Sequence, residues 1–186
     1  EIIFLEKDRV EVKFLDKIKK EYPKSLNIEL AICLVKKNPM EMILQKATEL
    51  GVKKITPIVS ERTEVKELNY ERANKIVIEA TEQSNQLNPP EISSVIKLKD
   101  FLNNVKNPHK ILFADINCKN VLKKENIKIN TFISILVGPE GDFSPTERES
   151  IFIKDNLMPF SLSKNILRTE TASISALTLV NYIFNL

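Results

Sequence analysis

Glycine is scarce in this chain: Gly51, Gly138 and Gly141 are the only three in 186 residues, where average usage of about 7% would give roughly 13. Neither the dinucleotide fingerprint GxGxxG nor the phosphate loop GxxxxGK[ST] is present. Cysteine and histidine are as rare. Cys33 and Cys118 lie far apart and form no zinc-ligand set with the single His109, so no metal is expected. Reduced thiols fit a cytoplasmic protein. No apolar run approaches the ~20 residues of a membrane span, and no signal-peptide pattern is visible, so no membrane partner is expected. Excess charge of one sign is also lacking. The 28 Lys+Arg against 25 Asp+Glu leave +3, which permits a nucleic-acid partner without arguing for one.

What is present is a regular alternation. Residues 1–22 read as two short strands, with Ile3, Leu5, Val10, Val12 and Phe14 partly alternating with charges. The chain starts at Glu1, and residues are expected to be missing before it. YPKS (22–25) marks a boundary, giving a β remnant over 1–25 and a second domain over 26–186. From there strands are expected at 26–35, 52–60, 111–115, 131–137 and 158–163, with a weaker one after residue 92. Helices are expected at 38–51, 69–86, near 118–124, at 144–155 and at 170–186, with a short one before residue 105. Asn38 can cap the first helix, with Pro39 at its first position and Gly51 closing it; Ser144, Pro145 and Glu147 supply a capping box. This order predicts an α/β domain with a mostly parallel sheet. On the last helix, Ala172, Ala176, Leu179, Val180 and Ile183 form a core-facing stripe. Leu177, Tyr182 and Phe184 are then left for a second partner.

Two stretches carry chemistry. In LVGPEGDFSPTE (136–147) two of the three glycines follow an apolar strand directly. Ligands of α/β sheets bind outside the carboxyl ends of strands, and glycine there permits positive φ and close backbone approach. Glu140 and Asp142 would repel a polyphosphate and suit a neutral or cationic ligand, such as a nucleoside or a sulfonium. A tight turn without ligand is the competing reading. In LSKNILRTETASISAL (162–177), polar residues crowd a helix start, where Thr169 or Thr171 can cap and Arg168 stands beside free amides.

Together these stretches resemble the RsmE family of 16S ribosomal RNA uracil-N3 methyltransferases, of the SPOUT superfamily. MEMILQKATELGVKKITPIVSERTEVK (40–66) and IEATEQSNQ (78–86) are similar to its earlier motifs, and the resemblance covers about residues 26–186. It implies a SPOUT α/β fold with a C-terminal deep trefoil knot, a homodimer, and an N-terminal PUA-like β-barrel of which residues 1–22 resemble the last strands. It also implies S-adenosylmethionine as cofactor, held against Leu112 and Phe113, against Leu136, Gly138, Pro139, Glu140 and Gly141, and against Leu162, Asn165, Ile166 and Leu167, with Thr169, Thr171 and Ala172 following. Arg168 is the expected catalytic donor to a uracil carbonyl, and Glu140 or a water the expected proton acceptor. Arg62, Lys46, Gln83 and Arg168 are the expected contacts to 16S ribosomal RNA.

This chain departs from the family pattern at three places. Asp142 stands where a further glycine is usual, a change that suits a backbone not left-handed there. Gln86, Leu87 and Asn88 replace arginines, and Ala73 replaces an aromatic. A non-catalytic RNA-binding module and a dimeric structural protein remain the alternatives to the enzyme.

Overall fold

A computed structural model describes residues 1–14, 27–123, 125, 127 and 132–184. The boundary expected at 22–25 lies outside them, as do the outermost residues of several expected elements. Strands β1 (Ile2–Leu5) and β2 (Val10–Val12) pair antiparallel, with Ile2, Leu5, Val10 and Val12 exposed.

From residue 27 the described elements run β3 (Ile28–Cys33), α1 (Lys37–Glu49), β4 (Lys54–Val59), α2 (Tyr70–Gln83), β5 (Glu91–Ile92), β6 (Ile96–Lys97), α3 (Leu98–Asn104), β7 (Lys110–Ala114), β8 (Ile133–Val137), α4 (Pro145–Phe152), β9 (Leu157–Phe160) and α5 (Thr169–Phe184). The sheet order is β5-β4-β3-β8-β7-β9, with β6 also on β4, and every pairing is parallel. The parallel α/β expectation therefore holds.

Side-chain alternation at period 2 builds two cores. Ile28, Leu30 and Ile32 of β3, Leu112 of β7 and Ile133 and Ile135 of β8 pack with α1, α2 and α5. Ala31, Cys33, Ile111, Phe113 and Leu136 point the other way and pack with α3 and α4. Burial of one such large side chain contributes about 1.5–3 kcal/mol.

Helix ends account for the local successes and failures. Ser144 caps α4 through a complete capping box with Glu147, as its spacing predicts. Gly51, at φ +80, follows α1; its N–H donates to the Thr48 carbonyl, and the Val52 N–H donates to the Ala47 carbonyl. That is the two-bond pattern of a left-handed helix stop.

Asn38 does not cap α1. The helix starts two residues earlier, at Lys37, with Lys36 at the cap position and no side-chain cap. Glu41 accepts a two-pronged pair of bonds from Arg72 of α2, at 3.1 and 2.9 Å. No helix forms over 118–123. There the Asp115 carboxylate accepts from the Asn117 N–H, the Asp115 carbonyl accepts from the Cys118 N–H, and the Asn120 carbonyl accepts from Ser161. These local and long-range bonds take the groups a helix would need. On α5, Leu177 is not left for a partner: it is fully buried with Ala176 and Val180, while Tyr182 is 81% exposed.

A buried polar cluster closes the amino ends of the central strands. Glu29 accepts from Thr56 and Ser134, and His109 Nε2 lies 2.7 Å from Ser134 Oγ. Burial holds the His109 imidazole below its ordinary pKa, opposed by the nearby Glu29 and assisted by Lys54.

Candidate functional site

Three strands end at one place. β7 runs into Asp115, β8 into Gly138 and β9 into the segment leading to α5. The Asp142 N–H donates to the Pro139 carbonyl at 3.0 Å, closing a tight turn over Glu140 and Gly141. Thr169, buried at the first position of α5, donates its hydroxyl to the Gly138 carbonyl at 3.4 Å. Arg62, in the loop after β4, donates to the Gly141 carbonyl at 2.9 Å. The glycine loop is thus held from two sides by other segments.

Positive φ is not what the two loop glycines supply. Among the described residues the only glycine with positive φ is Gly51, whereas Asp142 itself is left-handed at φ 58. The backbone does turn left-handed at Asp142, so the condition under which the loss of glycine there would be unstrained is not met. Aspartate tolerates this conformation better than most residues because its short carboxylate bonds locally: Oδ1 accepts from the Phe143 N–H at 2.8 Å. Gly138 is required by close packing. A β-carbon there would lie 3.0 Å from Phe143 Cε2, and Phe143 is fully buried.

These ends enclose an open cleft of about 690 Å3, counting its mouth. Of the residues expected at a cofactor, Phe113, Gly138, Pro139, Glu140, Leu162, Asn165, Ile166, Leu167, Thr169 and Ala172 line it. Leu112 and Leu136 lie beneath, fully buried in the sheet, and Gly141 faces Arg62 instead. Thr171 is exposed on α5 beside the lining Ala172. Among the described residues neither Thr169 nor Thr171 makes a side-chain cap to α5. Arg168 is exposed between the lining residues Leu167 and Thr169.

The four expected RNA contacts are not gathered into one patch. Arg62 and Arg168 stand at the carboxyl ends of the strands. Lys46, paired to Glu49 at 2.8 Å, and Gln83 stand at the far ends of α1 and α2, which run back toward the start of the sheet. Gln86 donates to the Thr48 and Glu49 carbonyls. It finishes α1 rather than presenting a cation.

Ala114, Asp115, Ile116, Val137, Asp142 and Ser163 also line the cleft. The signal for Asp115 was available, because it follows the strand ILFA directly. Arg148 of α4 ties the site together. Its guanidinium donates to Asp115 Oδ2 at 2.8 Å and to Asp142 Oδ2 at 3.2 Å, and lies 5.7 Å from the Phe113 ring centre and 5.5 Å from that of Phe152.

Among the described residues no lysine, arginine or histidine lines the cleft, while Asp115, Glu140 and Asp142 do. Such a donor set disfavours a polyphosphate and fits a nucleoside that carries a positive charge. S-adenosylmethionine, an adenosine bearing a sulfonium, meets that description.

Comparison with known proteins agrees. The RNA methyltransferase domain family matches residues 20–181. A ribosomal RNA small subunit methyltransferase E from Rickettsia conorii is 37% identical over 177 residues, covering 94% of this chain and 71% of that one. The crystal structure of a ribosomal RNA small subunit methyltransferase E from Neisseria gonorrhoeae, bound to S-adenosyl methionine, superposes with a TM-score of 0.87 at 32% identity, over 98% of this chain and 76% of that one. A TrmH/SpoU tRNA modifying enzyme from Aquifex aeolicus, at 14% identity and TM-score 0.57 over 87% of this chain and 77% of that one, shares the fold.

Proposed function

The chain belongs to the RNA methyltransferase family, which it matches over residues 20–181, and from that membership we propose that it transfers a methyl group from S-adenosylmethionine to N3 of a uridine in 16S ribosomal RNA. The observation that carries the reading is the cleft at the ends of β7, β8 and β9. Among the described residues it is lined by apolar side chains and the carboxylates of Asp115, Glu140 and Asp142 without a cationic side chain, in the fold of a relative that binds this cofactor.

When bound, the cofactor supplies an electrophilic methyl group on a sulfonium. The protein's part is to bind, orient and handle charge. The Gly138–Asp142 turn and the Leu162–Leu167 segment present backbone to the adenosine, and Phe113 supplies an apolar wall. Uracil N3 carries a proton at neutral pH and must lose it near the transition state. Glu140, exposed at the cleft, is the proposed acceptor. Arg168 is the proposed donor to the uracil carbonyl that gathers negative charge. Arg62, Lys46 and Gln83 are the proposed further RNA contacts, with Arg62 nearest the cleft.

Several finer features belong to the same proposal. The segment from Ser161 to Thr169 passes the loop after β7, where Ser161 donates to the Asn120 carbonyl; this supports a trefoil knot around the cofactor. Residues 1–25 are assigned to a PUA-like β domain, supported by the β1–β2 pair with apolar side chains exposed on both faces. Among the described residues no helix is long and apolar enough to cross a membrane, and a cytoplasmic location suits a ribosomal RNA substrate. A homodimer on α5 would cover Tyr182. Light scattering at micromolar concentration should give twice the chain mass, and Tyr182→Glu should shift it toward the monomer. A monomeric unsubstituted protein would remove the dimer from the proposal.

Titration calorimetry with S-adenosylmethionine, followed by methylation of small-subunit ribosomal RNA with mass-spectrometric mapping, tests the function. Saturable one-site binding and a product with 3-methyluridine are expected. A protein that binds RNA but not the cofactor would be a binding module instead.

A further inference from the structure

Three carboxylates line the cleft, and they are not equivalent. Glu140 is exposed and the Asp142 side chain is 49% exposed, whereas that of Asp115 is 3% exposed. The placement of Asp115 is fixed from several directions. Its N–H donates to the Phe160 carbonyl at 3.0 Å, its carbonyl accepts from the Cys118 N–H, Oδ1 accepts from the Asn117 N–H at 3.1 Å, and Oδ2 accepts from Arg148 at 2.8 Å. Arg148 has little freedom to release it. Its guanidinium lies close to the rings of Phe113 and Phe152, and its other arm is on Asp142.

A carboxylate offers about four acceptor sites. Among the described residues one is filled on each oxygen of Asp115, which lines the cleft, so two remain. A desolvated acceptor with spare capacity gains more from a donor than an exposed one does, and costs more if left empty. S-adenosylmethionine brings such donors on its ribose hydroxyls, its adenine amino group and its ammonium.

Resting on the cofactor reading above, we propose that Asp115 is a further cofactor-binding residue: its carboxylate accepts an O–H or N–H hydrogen bond from S-adenosylmethionine, and Arg148 is the positioning residue that aims it. This is a side-chain contact in a site otherwise read as backbone recognition.

Calorimetry on the full chain tests it with three probes: S-adenosylmethionine, S-adenosylhomocysteine and 5′-methylthioadenosine, which lacks the amino-acid group. Asp115→Asn, with its thermal midpoint checked, should weaken S-adenosylmethionine by about tenfold or more. Loss with all three probes assigns the donor to the nucleoside. Loss with the first two alone assigns it to the ammonium. Arg148→Ala keeps the carboxylate and should lose less than Asp115→Asn.

If Asp115→Asn fails to fold, Asp115→Glu covers the case. It keeps the charge while moving the carboxylate by one methylene, and a similar loss is expected. Affinity within about twofold of the unsubstituted protein in a folded Asp115 variant overturns the proposal. So does an Arg148→Ala loss equal to that of Asp115→Asn with no further loss in the double variant, because the pair would then only link β7 to α4. Absence of binding by the unsubstituted protein would instead sink the cofactor reading itself.

Discussion

Arg168→Ala is expected to slow methyl transfer by about a hundredfold or more while leaving S-adenosylmethionine affinity within about twofold. The backbone around Arg168 is secured without its side chain. Its carbonyl accepts from the Ala172 N–H at 2.8 Å, the Ser173 hydroxyl donates to the Thr169 carbonyl, and the Thr169 hydroxyl reaches Gly138. Truncation should therefore leave the cleft wall where it is. The guanidinium is exposed and has no hydrogen-bond or ion-pair partner among the described residues, so it is available to a substrate. A uracil that loses its N3 proton spreads charge onto the flanking carbonyls, and a cation with several donors is suited to meet it. Arg168→Lys keeps the charge without the planar fork and should fall between the two. Calorimetry and initial rates on ribosomal RNA read the two quantities separately. Near-normal turnover would take Arg168 out of the chemistry, and a large loss of cofactor affinity would make it part of the cofactor site.

How much of this could be read from sequence differs from element to element, for physical reasons. The apolar run of β8 and the SPTE capping box are local signals, and both are realised in the structure. The helix expected near 118–124 fails over its described residues because the competing bonds come from Asp115 and from Ser161, which lies some forty residues away. The glycine loop was legible as part of a strand-end cleft but not in its cause. Scarcity pointed to Gly138, yet the reason it must be glycine is the ring of Phe143, five positions later in sequence. Likewise the left-handed turn falls on Asp142, where the chain departs from the family's glycine, and the residue that pairs with its carboxylate is Arg148 on the next helix. Periodicity cannot reveal such pairings. Asp115, by contrast, follows the strand ILFA at its carboxyl end, where position alone marks a ligand candidate.

Gly138→Val is expected to weaken S-adenosylmethionine binding more than tenfold, about 1.4 kcal/mol, with a stability loss of about 1–3 kcal/mol from overpacking. Strain in a left-handed turn is not the cause, since Gly138 is not at positive φ. A β-carbon there meets Phe143 Cε2 at 3.0 Å and Cδ2 at 3.3 Å, and valine adds two methyl groups beyond it. Phe143 is 1% exposed and its ring centre is 5.8 Å from that of Phe113. Phe113 in turn lines the cleft and lies against Arg148. Displacement of one ring therefore reaches the cleft wall and the Asp115–Arg148 pair. Alternatively, the new side chain blocks the ligand directly. Phe143→Leu separates the two routes by removing ring atoms. If displacement of Phe143 is responsible, the Gly138→Ala/Phe143→Leu double variant should regain most of the affinity that Gly138→Ala loses. If the β-carbon itself meets the ligand, the double variant stays weak. A folded Gly138→Val protein with unchanged affinity would show that the loop after β8 is not part of the binding surface.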